Sequence, residues 1–166
     1  PLLDLQDLGF SNPHPAKKLT RIRANVTGGA GKLIIHSLSG HIDDSAIRLK
    51  GEVKDFKKPV LEAKVTSLYL DFEDVAALSK IGKLNAESGN GDSLSLKMSV
   101  GADRGRWRDL TYKNLNANLT YENQVIRLNA LDFDALGGNI GLKGSVDLRR
   151  EIPQYKLSVA ADTVKA

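Results

Sequence analysis

The chain is predicted to be all-β with one short helix: an elongated antiparallel β-meander built from repeated hairpin units. Three observations predict it. From Asn139 to Ala161 apolar and polar residues alternate almost without error around a single turn. A closely similar phrase occurs earlier, from Ala46 to Ser67. The composition, 41% hydrophobic but only 5% aromatic, with 15 glycines against 5 prolines, fits aliphatic strands interrupted by frequent turns.

In the later phrase Ile140, Leu142, Gly144, Val146 and Leu148 share one face of an extended strand, opposite Asn139, Gly141, Lys143, Ser145 and Asp147. After a turn at Pro153, Tyr155, Leu157, Val159 and Ala161 alternate against Gln154, Lys156, Ser158 and Ala160, which makes a hairpin. In the earlier phrase Ile47, Leu49, Gly51 and Val53 correspond to Ile140, Leu142, Gly144 and Val146 at one offset (140 − 47 = 93), and Pro59 corresponds to Pro153 (153 − 59 = 94). A period this long implies a unit of several strands recurring along an elongated sheet.

The chain therefore divides into an apolar lead-in (1–15) ending in the helix-forbidding Asn12-Pro13-His14-Pro15, a first repeat unit (16–82), a loop (83–92) and a second unit (93–166). In the first unit a strand from Leu19 to Val26 leads to a Gly28–Gly31 loop. The next strand, Leu33 to Ile42, changes phase near Leu38, as a bulge requires. The hairpin follows, and Leu68, Leu70 and Phe72 continue its alternation. Val75, Leu78 and Ile81 then have helical spacing, with Asp71 or Glu73 as cap and Gly82 as stop, so a helix is placed at about 72–81. In the second unit Leu94, Leu96, Met98 and Val100 define a strand, Ala102–Asp109 reads as a turn, and strands follow at Leu110–Glu122 and Gln124–Phe133 before the Leu136-Gly137-Gly138 turn. Nine or ten one-faced strands are too many for one short helix to cover. The sheet must close on itself as a sandwich or barrel, or form a trough filled by something apolar.

The residue inventory excludes several functions. A net charge of +4 and a pI near 9.3 arise from basic residues interleaved with acidic ones on polar strand faces, and no aromatic-studded basic motif is present, so no nucleic-acid partner is expected. Without cysteine there is no disulfide, thiolate nucleophile or cysteine-held zinc. His14, His36 and His41 lack further ligands at useful spacing, so neither metal nor cofactor is expected. Gly28 to Lys32 fails as a phosphate loop, because Val26 stands at its first glycine and Leu33 follows Lys32. Asp132 and Asp134 flank Phe133 on a solvent face, and no catalytic frame for an enzyme is found. Arg104, Arg106 and Arg108 around Trp107 read as a basic turn and are the one cluster suited to lipid headgroups. No apolar run of 18 residues occurs, and Pro1 to Leu8 lacks a signal-peptide pattern. A start without Met and a stop after a strand fit a segment of something longer.

The run Leu136, Gly137-Gly138, Ile140, Leu142, Gly144, Val146-Asp147 to Pro153 resembles the C-terminal pattern of AsmA-like proteins of Gram-negative bacteria. Residues 38–65 resemble the family's earlier strands and residues 67–78 its extended-then-helical link, so the likeness spans roughly Leu33 to Asp162. It lies in glycines, prolines and alternating apolar residues rather than in a catalytic motif. Leu136 stands where many members have an aromatic residue, and the family's N-terminal membrane helix is not in this stretch. The resemblance implies that the meander is curled into a groove (a β-taco) and serves as a bridge-like lipid-transfer conduit in the periplasm, attached to the inner membrane through a segment not in this chain. It would pass phospholipid toward the outer membrane and so support outer-membrane assembly, with acyl chains as ligand. The lipid-facing floor would then comprise Ile47, Leu49, Val53, Leu61, Val65, Leu94, Leu96, Met98, Leu119, Ile126, Leu128, Ile140, Leu142, Val146, Leu157 and Val159. The competing expectation is a ligand-free β-sandwich or scaffold module of a cell-envelope protein.

Overall fold

A computed structural model describes residues 2–5, 19–74, 94–150 and 152–162. They form ten strands: β1 (Leu2–Leu5), β2 (Leu19–Gly29), β3 (Lys32–Ile42), β4 (Ser45–Lys54), β5 (Val60–Asp71), β6 (Ser95–Trp107), β7 (Leu110–Glu122), β8 (Val125–Ala135), β9 (Gly138–Asp147) and β10 (Gln154–Asp162). All belong to one sheet, ordered as in the sequence from β1 at one edge to β10 at the other, and the sheet is not closed. Every neighbouring pair is antiparallel except β5 and β6, which run parallel. A parallel pair needs a long crossover, which the chain between Asp71 and Ser95 supplies. The crossover opens with a helical turn at residues 72–74, capped by Asp71, whose Oδ1 accepts the Glu73 N–H at 2.9 Å. Residues 75–81 of the predicted helix, the 83–92 loop and most of the lead-in lie outside the described residues.

The tight turns follow from local backbone chemistry. Ala30-Gly31 (φ 47° and 75°) and Asn123-Gln124 (φ 49° and 58°) both take the paired left-handed conformation that matches the twist of two joined strands. The expected four-residue glycine loop is thus a two-residue turn, with β2 continuing through Gly28 and Gly29.

The pairing register repeats at the offset read from the sequence. Leu38 pairs with Leu49 and Leu131 with Leu142; Ala24 pairs with Leu38 and Ala117 with Leu131 (131 − 38 = 93 and 117 − 24 = 93). The irregularities repeat as well: the shift between Ile35 and Leu38 in β3 recurs between Leu128 and Leu131 in β8, and left-handed Arg21 recurs as left-handed Asn114. The molecule is therefore two five-stranded units, β1–β5 and β6–β10, joined by the parallel pair.

The Ala102–Asp109 stretch is not a turn. It is the second half of β6, and the chain reverses at Arg108-Asp109. The cause is tertiary: Leu70, Gly105 and Tyr112 align across β5, β6 and β7, and the Tyr112 ring lies directly over Gly105. A Cβ at Gly105 would overlap both the Leu70 carbonyl oxygen and the Tyr112 ring. At Gly29 a Cβ would meet nothing within 4 Å. Gly105→Ala is accordingly expected to lower stability by about 2–3 kcal/mol, the scale of overpacking in a tight core. Gly29→Ala should stay within about 0.5 kcal/mol of the parent. Urea denaturation followed by circular dichroism measures both.

Candidate functional site

Register and alternation together sort the side chains of this sheet onto two chemically different faces. One face carries three unbroken rows. Gly28, Leu33, Val53, Leu61, Leu96, Tyr121, Ile126, Val146 and Tyr155 are successive partners from β2 to β10. A second row runs Val26, Ile35, Gly51, Ala63, Met98, Leu119, Leu128, Gly144, Leu157, and a third Ala24, Leu38, Leu49, Val65, Val100, Ala117, Leu131, Leu142, Val159. No charged residue enters any of the three.

Fifteen of the sixteen residues anticipated for a groove floor therefore share this face with one another in these rows or in their continuation. Val53, Leu61, Leu96, Ile126 and Val146 fall in the first row, Met98, Leu119, Leu128 and Leu157 in the second, and Leu49, Val65, Leu142 and Val159 in the third. Ile47 pairs with Ser67 beyond the third row, and Ile140 pairs with Phe133 on the same side. Leu94 departs from expectation. The ladder begins one residue later, where the Ser95 N–H donates to the Pro59 carbonyl at 2.9 Å, and Leu94 is left exposed ahead of the strand. Leu68 is also exposed, at 69%, because a change of phase in β5 turns Leu70 inward instead. Leu33, Ile35, Leu38, Val100 and Leu131 were missed; adding 93 to the first three gives Ile126, Leu128 and Leu131, a signal the bulges obscured.

The two ends of this face differ. Toward the β3–β4, β6–β7 and β8–β9 turns, Leu70, Ala102, Tyr112, Leu115, Phe133 and Ala135 form a buried cluster, with Ile47, Ile140 and Leu142 packed against it. Tyr112 centres it: its ring lies 5.4 Å from that of Phe72 and 6.0 Å from that of Phe133, and its hydroxyl donates to the Leu70 carbonyl. Burial pushes the Tyr112 phenol well above its ordinary pKa, so it stays a donor. A bulge at left-handed Asn114 turns Tyr112 and Leu115 to the same side.

Beside the cluster, Ser45 Oγ donates to Asp74 Oδ2 at 2.6 Å and accepts the Asp71 N–H at 2.9 Å. Arg106 Nη2 donates to Asp71 Oδ2 at 2.7 Å. These bonds tie β4, β5, the helical turn and β6 at the unit junction. Among the described residues the opposite end has no such packing: the first two rows are mostly half-buried, and at the β10 edge Tyr155, Leu157 and Val159 are 71%, 67% and 59% exposed.

The other face is polar. Glu52 bridges Lys32 and Lys54, each at 2.6 Å, and Lys54 and Lys97 reach Glu62 at 3.4 and 3.9 Å. The basic cluster anticipated around Trp107 is dispersed. Arg106 is committed to Asp71, Arg108 sits in a turn, and Arg104 lies beside Lys113 along a cleft of about 710 Å³ that also includes Tyr69, Asp134 and Asn139. His36 bonds to the Thr27 hydroxyl at 2.9 Å, and no group of potential metal ligands is found among the described residues. No helix among them is long and apolar enough to cross a membrane.

No known protein family, curated protein or solved structure matches this chain.

The polar face also sets an acid limit. Hydrogen bonds from Lys32 and Lys54 hold the Glu52 carboxyl below its usual range, those from Asn114 and Asn139 do the same to Asp134, and those from Arg149 to Asp147. Depressed folded-state values mean that the unfolded chain takes up protons first as pH falls. The stabilisation is complete above about pH 4 to 5 and is lost below it. Melting temperature is therefore expected to be level from pH 7 to about 5 and to fall progressively below pH 4, with a smaller acid loss in Glu52→Gln. A maximum near pH 3 would contradict this assignment.

Proposed function

We propose that this chain is a segment of a lipid-conducting β-groove of the AsmA-like kind, whose apolar face shields the acyl chains of phospholipid passing through the periplasm between inner and outer membranes. On this reading membrane attachment belongs to other parts of the full-length protein. The observation that carries the proposal is the set of three uninterrupted apolar rows on a sheet that does not close and whose open end leaves aliphatic side chains half-buried. Such a surface is costly in water at about 25 cal/mol per Å². An acyl chain covers it, and each methylene removed from water contributes about 0.8 kcal/mol. The rows need no specific partner atom, which suits a ligand that must move along them. The lysine and glutamate network on the far face keeps the same sheet compatible with water.

The structure also guides the choice of probe position. Ile47 and Leu142 pack against the buried cluster, so a charge at either would strike the fold as well as the surface. Ile126 lies in the first row at the open end and is 38% exposed, so a carboxylate there reaches water when no lipid is bound. Under an acyl chain that charge would cost several kcal/mol. Ile126→Asp is expected to weaken binding of a fluorescent phospholipid by at least about 10-fold while the circular dichroism spectrum stays that of the parent. Arg127→Ser, on the polar face, should bind normally. Undiminished binding by folded Ile126→Asp, or equal losses in both variants, would sink the proposal.

A further inference from the structure

We propose that the polar face of β4, β5 and β6 carries a binding site for a small, multiply phosphorylated polyol, centred on Lys50 and Lys64.

On this face the β4–β5 ladder sets like charge against like charge twice in succession: Glu52 is opposite Glu62, and Lys50 is opposite Lys64. Directly opposed like charges destabilise a sheet unless something neutralises them. The glutamates are neutralised from within. Glu52 takes Lys32 and Lys54 at 2.6 Å, and Glu62 takes Lys54 at 3.4 Å and Lys97 at 3.9 Å. With both carboxylates already taken, Lys50 and Lys64 make no side-chain hydrogen bond or ion pair among the described residues. Side-chain rearrangement does not remove the imbalance. From β3 to β6, between the row of Lys32 and the row of Arg48, six basic side chains (Lys32, Arg48, Lys50, Lys54, Lys64 and Lys97) share the face with those two carboxylates.

The fold does not require this excess. Lys50 recurs in the second unit as Lys143 (143 − 50 = 93), but Lys64 gives way to Ser158 (158 − 64 = 94), the ladder partner of Lys143. The same strand pairing is thus built with a hydroxyl where the first unit sets a second ammonium. Lys50, Lys64 and Lys97 edge a groove of about 610 Å³, a size that suits a small molecule. Its walls also carry Ser99, Asn118, Thr120 and Asn129, neutral groups that donate to and accept from hydroxyls. Lysine meets phosphate oxygens as a point charge, and the amides and hydroxyls beside it match the hydroxyls of a polyol. The occupant is a small molecule rather than an anionic membrane. The second unit's half of the same face interleaves Asp132, Asp134 and Asp147 with its basic residues, and a flat negative surface would press against them. The groove lies opposite the apolar rows, so it stands or falls separately from lipid binding.

Isothermal titration calorimetry with inositol trisphosphate tests the site, with unphosphorylated inositol and sulfate as references. The parent chain should bind the trisphosphate saturably and more weakly as salt is raised, bind sulfate at least about 10-fold more weakly at matched ionic strength, and not bind inositol. Lys64→Ser copies the second unit and should keep the parent's circular dichroism spectrum, melt no lower than the parent, and lose at least about 10-fold in affinity. Lys50→Gln should lose a similar factor, and Lys143→Ser, at the position that has no opposed lysine, should bind as the parent does. No binding by the parent, undiminished binding by a folded Lys64→Ser or Lys50→Gln chain, an equal loss in Lys143→Ser, or sulfate binding as tight as the trisphosphate would each overturn the proposal. Binding to phosphatidylglycerol vesicles without binding of the free trisphosphate would overturn it in favour of a membrane surface.

Discussion

A sheet that collects its aliphatic side chains on one face has to cover that face, and every other feature of this molecule answers to that demand. Ten strands in a single open layer provide one apolar surface and one polar surface. Helical packing is not the solution adopted among the described residues, where the only helix is one turn at residues 72–74. Part of the answer is internal: bulges at Asn114 and between Leu128 and Leu131 re-aim side chains so that Tyr112, Leu115 and Phe133 pack on one another. The rest of the surface is left half-buried, and its rows remain free of charge from β2 to β10.

The asymmetry between the two ends follows from where the units meet. The parallel β5–β6 pair needs a crossover, and the crossover starts at the end where Ser45, Asp71, Asp74 and Arg106 bind one another. Burying two carboxylates is unfavourable unless donors meet them, and the serine hydroxyl and the arginine guanidinium do so. In the second unit the position of Ser45 is taken by Gly138, so among the described residues this set of bonds is found only at the junction.

Much of this was legible in the residues. Unbroken alternation in Ala46–Ser67 and Asn139–Ala161 specified both strands and faces, because a period of two admits one inward set. The phase change near Leu38 announced the bulge found there. Two features were not legible. Asp103, Arg104 and Arg106 break the alternation of β6 and look like a turn, and only the alignment of Leu70, Gly105 and Tyr112 from three strands keeps that stretch extended. The direction of the β5–β6 pair is also silent in local pattern, since parallel and antiparallel strands alternate alike. The contact between Ser45 and Asp74, 29 positions apart, leaves no local trace either.

The central claim, that acyl chains cover one face of this sheet, is tested most directly by mapping where they touch. A phospholipid carrying a photoreactive diazirine in its acyl chain, activated in complex with the protein and followed by peptide mass spectrometry, reads the contacts residue by residue. The account predicts adducts at Leu61, Leu96, Ile126, Val146 and Leu157, in the first two rows, and few at Lys64, Lys97 and Arg127 on the opposite face. Adducts spread evenly over both faces, or concentrated on the polar one, would contradict it.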